Sequence, residues 1–432
     1  MEKQEKRSLK GRTIYIPRMS YEGARLMAAA FESIGVNAEP LPEPNGRTIE
    51  LGKKYTSGDE CYPQHITLGG CLQVLERSGV VPERTAFFMP YSGGPCRFGQ
   101  YTGYLEKVLR ELGMSDALVL APGFDDNYGN IDEVGRGFRR TAWRAVIAGD
   151  LLRKFLFKTR PYEMTQGDSD GAYSESLDDL HNAMAARCSS AKIHLAGIMA
   201  ALKRMRQRFC AVPAKYDRSR PLIGVVGEIY CRLDTFANEE IIRVIERQGG
   251  EAWLSDIAEW LWYVNWSAER SLADHGKRFS GAMLGSKLKH YFQRSDEHAM
   301  MEIFEEDFVG YEEPENIEAL LNYSLPYLPH YGALGEMTLS VGRSIYLYHK
   351  GADGVVDVSP FTCMNGIVCE SVYPNVSKDH DGIPMRVFYF DGTRSDWERD
   401  IGIFMELSRN YQRNKHQRRQ FPACFGNGVL VS

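Results

Sequence analysis

Two stretches of this chain run through the same order of elements, and that order constrains the fold more than any other feature. "TIYIP" (13–17) is a short β-rich run. The helix pattern "YEGARLMAAAFESIG" follows, with Met27, Ala30, Phe31 and Ile34 on one face and a stop at Gly35. "NAEPL" then returns as a strand. "LIGVVG" and "NEEIIRVIERQGGEAWL" repeat the sequence of strand, loop, acidic helix start, glycine stop and strand. Alternation of this kind predicts an α/β fold of parallel sheets flanked by helices, here two Rossmann-like lobes of like topology.

Further segments extend each lobe. "TAFFMP" reads as a strand, the stretch from about Gly99 to Leu112 as a helix with Tyr101, Tyr104, Leu105, Val108 and Leu112 on one face, and "DALVLAP" as another strand. "GADGVVDVSPFTCM" and "MRVFYFDG" read as late strands, and "SDWERDIGIFMELSRNYQRN" as a closing helix. Long helical patterns without strand signals occupy the region between the lobes. The expected organisation is an N-terminal α/β lobe over residues 11–130 and a helical connecting region over 131–219. A C-terminal α/β lobe with a helical insertion covers 220–395, and a helix and tail cover 396–432.

A chain of 432 residues has room for such cores, and its 43% hydrophobic and 25% charged residues are those of an ordinary globular protein. The net charge of -5 weighs against nucleic acid as a partner, and the basic run "RNYQRNKHQRR" (409–419) reads as a solvated helix end. The charged opening "MEKQEKRSLKGR" has no apolar segment behind it, and no run approaches the length of a membrane span. The expectation is a cytoplasmic protein without a membrane partner. Its nine cysteines are then packing residues, metal ligands or redox thiols rather than disulfides. They include no C-x2-C pair.

Three cysteines share a context. Cys61 lies in "SGDECYPQH", Cys96 in "GGPCRFG" and Cys363 in "SPFTCMNG", each in a Gly- or Pro-marked loop, the last two directly after a strand. Ligands of open α/β sheets bind beyond the carboxyl ends of the strands. Three thiolates brought together there would suit an iron–sulfur cluster, zinc or Cu(I). Packing is the alternative for each. Cys231, in a strand-end loop, is a fourth candidate ligand, Cys71 and Cys369 are reserves, and Cys188, Cys210 and Cys424 read as packing. Gly93 and Gly94 would let the backbone approach an inorganic core, and a helix starting near Gly99 would aim its amides at Cys96. Arg97 would add positive charge. Glu60, His65, Gln100, Tyr101, Glu228 and Tyr230 are polar candidates, with His65 the best acid–base group by its ordinary pKa and a satisfied helix histidine the competing interpretation.

"SGDECYPQH", "PYSGGPCRFGQY", "GEIYCRLDTFANEEIIR" and "KGADGVVDVSPFTCMNGIV" resemble the subunits of 2-hydroxyacyl-CoA dehydratases, most closely the dehydratase-like region of activase-related proteins, over about residues 11–395. The resemblance implies a 4Fe-4S cluster on Cys61, Cys96 and Cys363, with one iron site left for substrate. It also implies an ATP-hydrolysing activase as electron donor, a possible acyl-CoA substrate and a homo- or heterodimer. Catalytic roles would fall to His65, Arg97, Gln100 and Glu228, with Gly93, Gly94 and Arg97 at the cofactor. Related members carry a double-cubane cluster, which needs more ligands than the three well-placed cysteines. No phosphate-binding loop motif occurs, so ATP chemistry would lie with the partner. A non-catalytic electron-transfer or scaffold subunit and a cluster-free protein are the competing functions.

Overall fold

Ser20 and Gly35 bracket the first helix, Gly35 being the stop expected from the sequence. The Ser20 hydroxyl accepts the Gly23 amide at 3.1 Å, and Gly35 takes the left-handed φ of 88° that ends the helix. A computed structural model describes residues 8–123, 134–135, 137–329, 335–393 and 395–426. The expected boundary between residues 130 and 131 lies outside them.

The elements in chain order are β1 (Thr13–Ile16), α1 (Tyr21–Ser33), β2 (Asn37–Pro40), α2 (Gly46–Lys54), α3 (Tyr62–Leu75), β3 (Thr85–Phe88), α4 (Tyr101–Glu111) and β4 (Leu118–Leu120). The helices α5 (Phe138–Thr159), α6 (Asp168–Ala185) and α7 (Ala191–Ala211) follow. Then come β5 (Leu222–Gly227), α8 (Ile229–Leu233), α9 (Ile241–Arg247), β6 (Glu251–Leu254), α10 (Ile257–Asp274), α11 (Gly281–Met301) and α12 (Ile317–Ser324). The last elements are α13 (Gly335–His349), β7 (Gly354–Pro360), α14 (Met364–Asp379), β8 (Met385–Phe390) and α15 (Trp397–Asn414).

The chain divides into two compact units, the first formed by residues 1–149, 177–201 and 264–297, the second by 150–176, 202–263 and 298–432. Each holds one four-stranded parallel sheet, in the orders β2-β1-β3-β4 and β6-β5-β7-β8. The two orders are the same topology, so the expected α/β fold of two Rossmann-like lobes is observed. Among the described residues no helix is long and apolar enough to cross a membrane.

In the first unit the period-2 alternation of the strands sorts residues to two buried faces. Tyr15 and Phe87 pack with Leu68, Leu72, Leu105 and Val108 on one side. Ile14, Ile16, Ala86 and Phe88 pack with Ala24, Ala28, Phe31 and Phe138 on the other. Each such phenylalanine contributes about 1.5–3 kcal/mol by burial, far more than a helix draws from its own propensity. Leu112, expected on the buried face of α4, is 40% exposed because the helix ends one residue earlier. The acidic pair expected to start α9 precedes it. Glu239 and Glu240 both stand at left-handed φ, 50° and 55°.

The second unit is held by charges as well as by apolar packing. Asp150 on α5 accepts the Ile257 and Ala258 amides at 3.1 and 2.9 Å, satisfying the start of α10. Glu313 pairs with Lys154 and, at 2.5 Å, with the fully buried Arg343, which lies over the Trp253 ring. The basic run 409–419 is a solvated helix end only in part: Arg413, His416 and Arg418 are exposed, but two of its cations turn inward. Lys415 pairs with Asp353 at 2.6 Å and Arg419 with Glu251 at 2.7 Å, all four side chains being buried. Two carboxylates left at strand ends require these partners, so the cations fold inward.

Candidate functional site

Cys61, Cys96 and Cys363 occupy one kind of position. Cys61 is the N-cap of α3, Cys96 the N-cap of the 3-10 turn Arg97–Gln100 that runs into α4, and Cys363 the N-cap of α14. Their φ/ψ pairs are -72/153°, -66/132° and -69/124°, and none makes a side-chain capping hydrogen bond. Each residue therefore stands at the positive end of a run of backbone amides, a field that lowers a thiol's pKa where burial and nearby carboxylates do not outweigh it. Cys96 follows β3 and Cys363 follows β7, equivalent strands of the two sheets, where the direction of strand progression reverses. That is where open α/β sheets bind ligands.

The first unit brings Cys61 to the Cys96 segment. Cys61 Sγ and Tyr101 Oη are 2.7 Å apart, and the Tyr101 ring packs edge-on against Phe98 at 5.3 Å. The turn itself is tight. The Gly99 amide donates to the Cys96 carbonyl at 3.1 Å, and a β-carbon on Gly99 would stand 2.4 Å from the Ser92 carbonyl oxygen. Gly94 takes a φ of 86°. Gly93, Gly94, Arg97 and Gln100 are exposed on this turn. Glu60 closes the preceding turn by accepting the Ser57 and Gly58 amides at 3.0 and 2.9 Å. His65 lies one turn into α3 and is buried, and its Nε2 has no hydrogen-bond partner among the described residues. Burial pushes its pKa down, with Glu60 opposing.

The second unit surrounds Cys363 with carboxylates. Burial first, then Glu228 and Glu336, pushes its thiol well above the ordinary range, while the Asn365 and Gly366 amides work in the opposite direction. Glu228, beyond the end of β5, caps α8 by accepting the Tyr230 and Cys231 amides at 3.0 and 2.7 Å. Glu336, at the start of α13, accepts the Ile229 amide at 3.1 Å and the Asn365 side-chain amide at 2.5 Å. Burial and the neighbouring Glu228 raise its pKa to about 8. Thr362, immediately before Cys363, takes a left-handed φ of 65°, a strained conformation for a β-branched residue.

The remaining cysteines sort differently from expectation. Cys231 is not in a loop but inside α8, and it is fully buried. Cys71 and Cys369 are buried in the apolar cores of the first and second units. Cys188, Cys210 and Cys424 are exposed, not packed. Cys188 falls between α6 and α7, and Cys210 sits on the last turn of α7 with its thiol 3.8 Å from Asp307 Oδ1. Cys61 and Cys96 belong to the first unit and Cys363 to the second. Among the described residues no group of three or more His, Cys, Asp or Glu side chains is gathered at metal-binding distance.

Sequence reasoning missed Glu336 and Asn365. "GEMTLS" carries no local mark of a site. Asn365 stands two residues after Cys363, and that adjacency was its one available signal. No family model matches the chain, and no curated protein is significantly similar to it.

Proposed function

We propose that this chain is an iron–sulfur protein whose thiols Cys61, Cys96 and Cys363 hold a 4Fe-4S cluster, reduced by an ATP-hydrolysing activase and used for reductive or dehydration chemistry on an acyl-CoA-type substrate. The observation that carries the proposal is the shared placement of the three cysteines at helix N-caps, two of them beyond equivalent strands. The donor set fits such a group. Soft thiols prefer iron–sulfur iron, and amide N–H groups near the sulfur, as at Cys363, stabilise the charge of a ligated thiolate.

Bound there, a cluster would supply a low-potential electron at an iron site open to an external ligand. The chain's own residues would position it. The Tyr101 hydroxyl 2.7 Å from Cys61 would donate to a thiolate, Glu336, its pKa raised to about 8, would hold a proton beside Cys363, and burial raises the pKa of Glu228 in the same direction. Arg97 and Gln100 are exposed on the Cys96 turn, where an incoming substrate or partner would meet them. His65, buried with an unpartnered Nε2, lies one helical turn past Cys61 and is the histidine available there for acid–base chemistry. A double-cubane cluster ranks lower, since Cys231, Cys71 and Cys369 are all buried inside cores or helices. The proposed setting is the cytoplasm, as a homo- or heterodimer, without nucleic acid.

Anaerobic purification with iron, sulfide and electron paramagnetic resonance analysis tests the proposal. The expected result is about four irons and four sulfides per chain. Cys61→Ser, Cys96→Ser and Cys363→Ser should each lose them, and Cys188→Ser should keep them. A colourless, iron-free protein overturns the proposal. A cluster whose spectrum does not respond to acyl-CoA would instead favour an electron-carrying or scaffold subunit.

A further inference from the structure

We infer that Glu336 is the positioning residue of the second unit's strand-end crevice, a carboxyl strap joining the segment that carries Glu228 to the segment that carries Cys363. For its functional meaning the inference rests on the assignment of Cys363 as a ligand; its geometry does not. Adjacent strands β5 and β7 are held together as far as the Glu228 amide, which donates to the Val358 carbonyl at 3.0 Å. Beyond that bond the two chains part, one into α8 and the other into α14. Glu336 spans the divergence from a third element, α13. Its Oε1 accepts the Ile229 amide at 3.1 Å, one residue past Glu228, and its Oε2 accepts Asn365 Nδ2 at 2.5 Å, two residues past Cys363.

Two further observations point the same way. Thr362 is strained at a φ of 65°, and such a residue persists only where its surroundings over-determine it. The strap to Asn365 is a contact that fixes the segment just after it. A buried carboxyl beside Glu228 and Asp357, with Arg232 as the cation among them, also costs stability relative to an apolar group of the same size. Geometry rather than stability is therefore what the side chain supplies. Asn365 is 5% exposed and its Oδ1 has no partner. That spare acceptor lets the Asn365 amide turn to face a glutamine at position 336, which would still accept the Ile229 amide. Glu336→Gln should therefore preserve the strap, and Glu336→Ala should release it.

The test is the rate of iodoacetamide labelling at each cysteine of the metal-free protein, read by mass spectrometry, with resonance spectra of the iron-loaded protein alongside. Loss of a hydrogen bond to an acidic group should raise labelling of Cys363 roughly tenfold in Glu336→Ala, through easier local opening. Cys61 and Cys96 should be unchanged, and Glu336→Gln should stay within about twofold of the parent protein. In the loaded protein Glu336→Ala should broaden or shift the cluster spectrum and Glu336→Gln should restore it. Unchanged Cys363 labelling in Glu336→Ala, or a Glu336→Gln variant as reactive as Glu336→Ala, overturns the inference. Asn365→Ala removes the same bond from the other side and gives the same reading should Glu336→Ala fail to fold. A parent protein that binds no iron would defeat the ligand assignment while leaving the labelling result to decide the strap.

Discussion

Thr362 shows how a single residue can mark a site. A left-handed β-branched residue costs about 1–3 kcal/mol, whereas glycine at the same position costs about 0.5–1 kcal/mol in lost chain entropy. The first term is the larger, so Thr362→Gly should raise stability by about 1 kcal/mol, measured by urea unfolding. A loss of stability would mean that the Thr362 side chain makes contacts worth more than its strain. The same reasoning in reverse applies to Gly99, where the 2.4 Å approach to the Ser92 carbonyl leaves no room for a β-carbon. Gly99→Ala should open the Cys96 turn, which faster alkylation of Cys96 would report.

Among elements, the second unit depends on carboxyls whose partners come from other helices and from the C-terminal segment. Glu259 on α10 is buried, and burial raises its pKa from the ordinary 4.5 to about 7 against the opposing charges of Arg343 and Arg232. The folded chain then keeps a proton that the unfolded chain releases. This contribution is fully present below about pH 4.5 and is lost as pH rises through about 7. Glu259→Gln should flatten the decline in unfolding free energy across that window, a slope of at most about 1.4 kcal/mol per pH unit for one group. An unchanged slope would show that Glu259 ionises normally. Past α15, Arg419 pairs with Glu251, a residue with no exposed surface at the start of β6. Tyr162 and Tyr311 donate to the same carboxylate. Arg419→Ala leaves that charge buried with its cation gone and should cost about 3–5 kcal/mol in a denaturation measurement. A loss below about 1 kcal/mol would mean that water replaces the guanidinium.

On the scale of the whole molecule, two units of identical sheet order each present a cysteine after the third strand of the chain's sheet sequence. A metal centre on those thiols would bind only the folded chain and so stabilise it by mass action. Stripping iron with a chelator should lower the thermal midpoint of the parent protein and leave that of Cys363→Ser unchanged. Equal midpoints before and after stripping would argue that no metal ties the thiols together.

The strands, their parallel arrangement and the loop positions of Cys61, Cys96 and Cys363 were legible in the sequence, because period-2 and period-3.6 patterns and Gly stops are local signals. Three-dimensional neighbours were not. The run 409–419 looks like solvated charge because its carboxylate partners, Glu251 and Asp353, lie far back in the chain. Cys188, Cys210 and Cys424 read as packing because residue type alone favours burial, whereas exposure depends on which neighbour covers a helix face. Glu336 lay in a segment without a motif and became visible only through its bonds to Ile229 and Asn365. By itself the sequence determined the alternation of strands and helices and that Cys96 and Cys363 stand just past strands. Only the tertiary structure decided which charges are buried and what holds the Cys363 segment in place, since a buried polar group is defined by distant residues that must satisfy it.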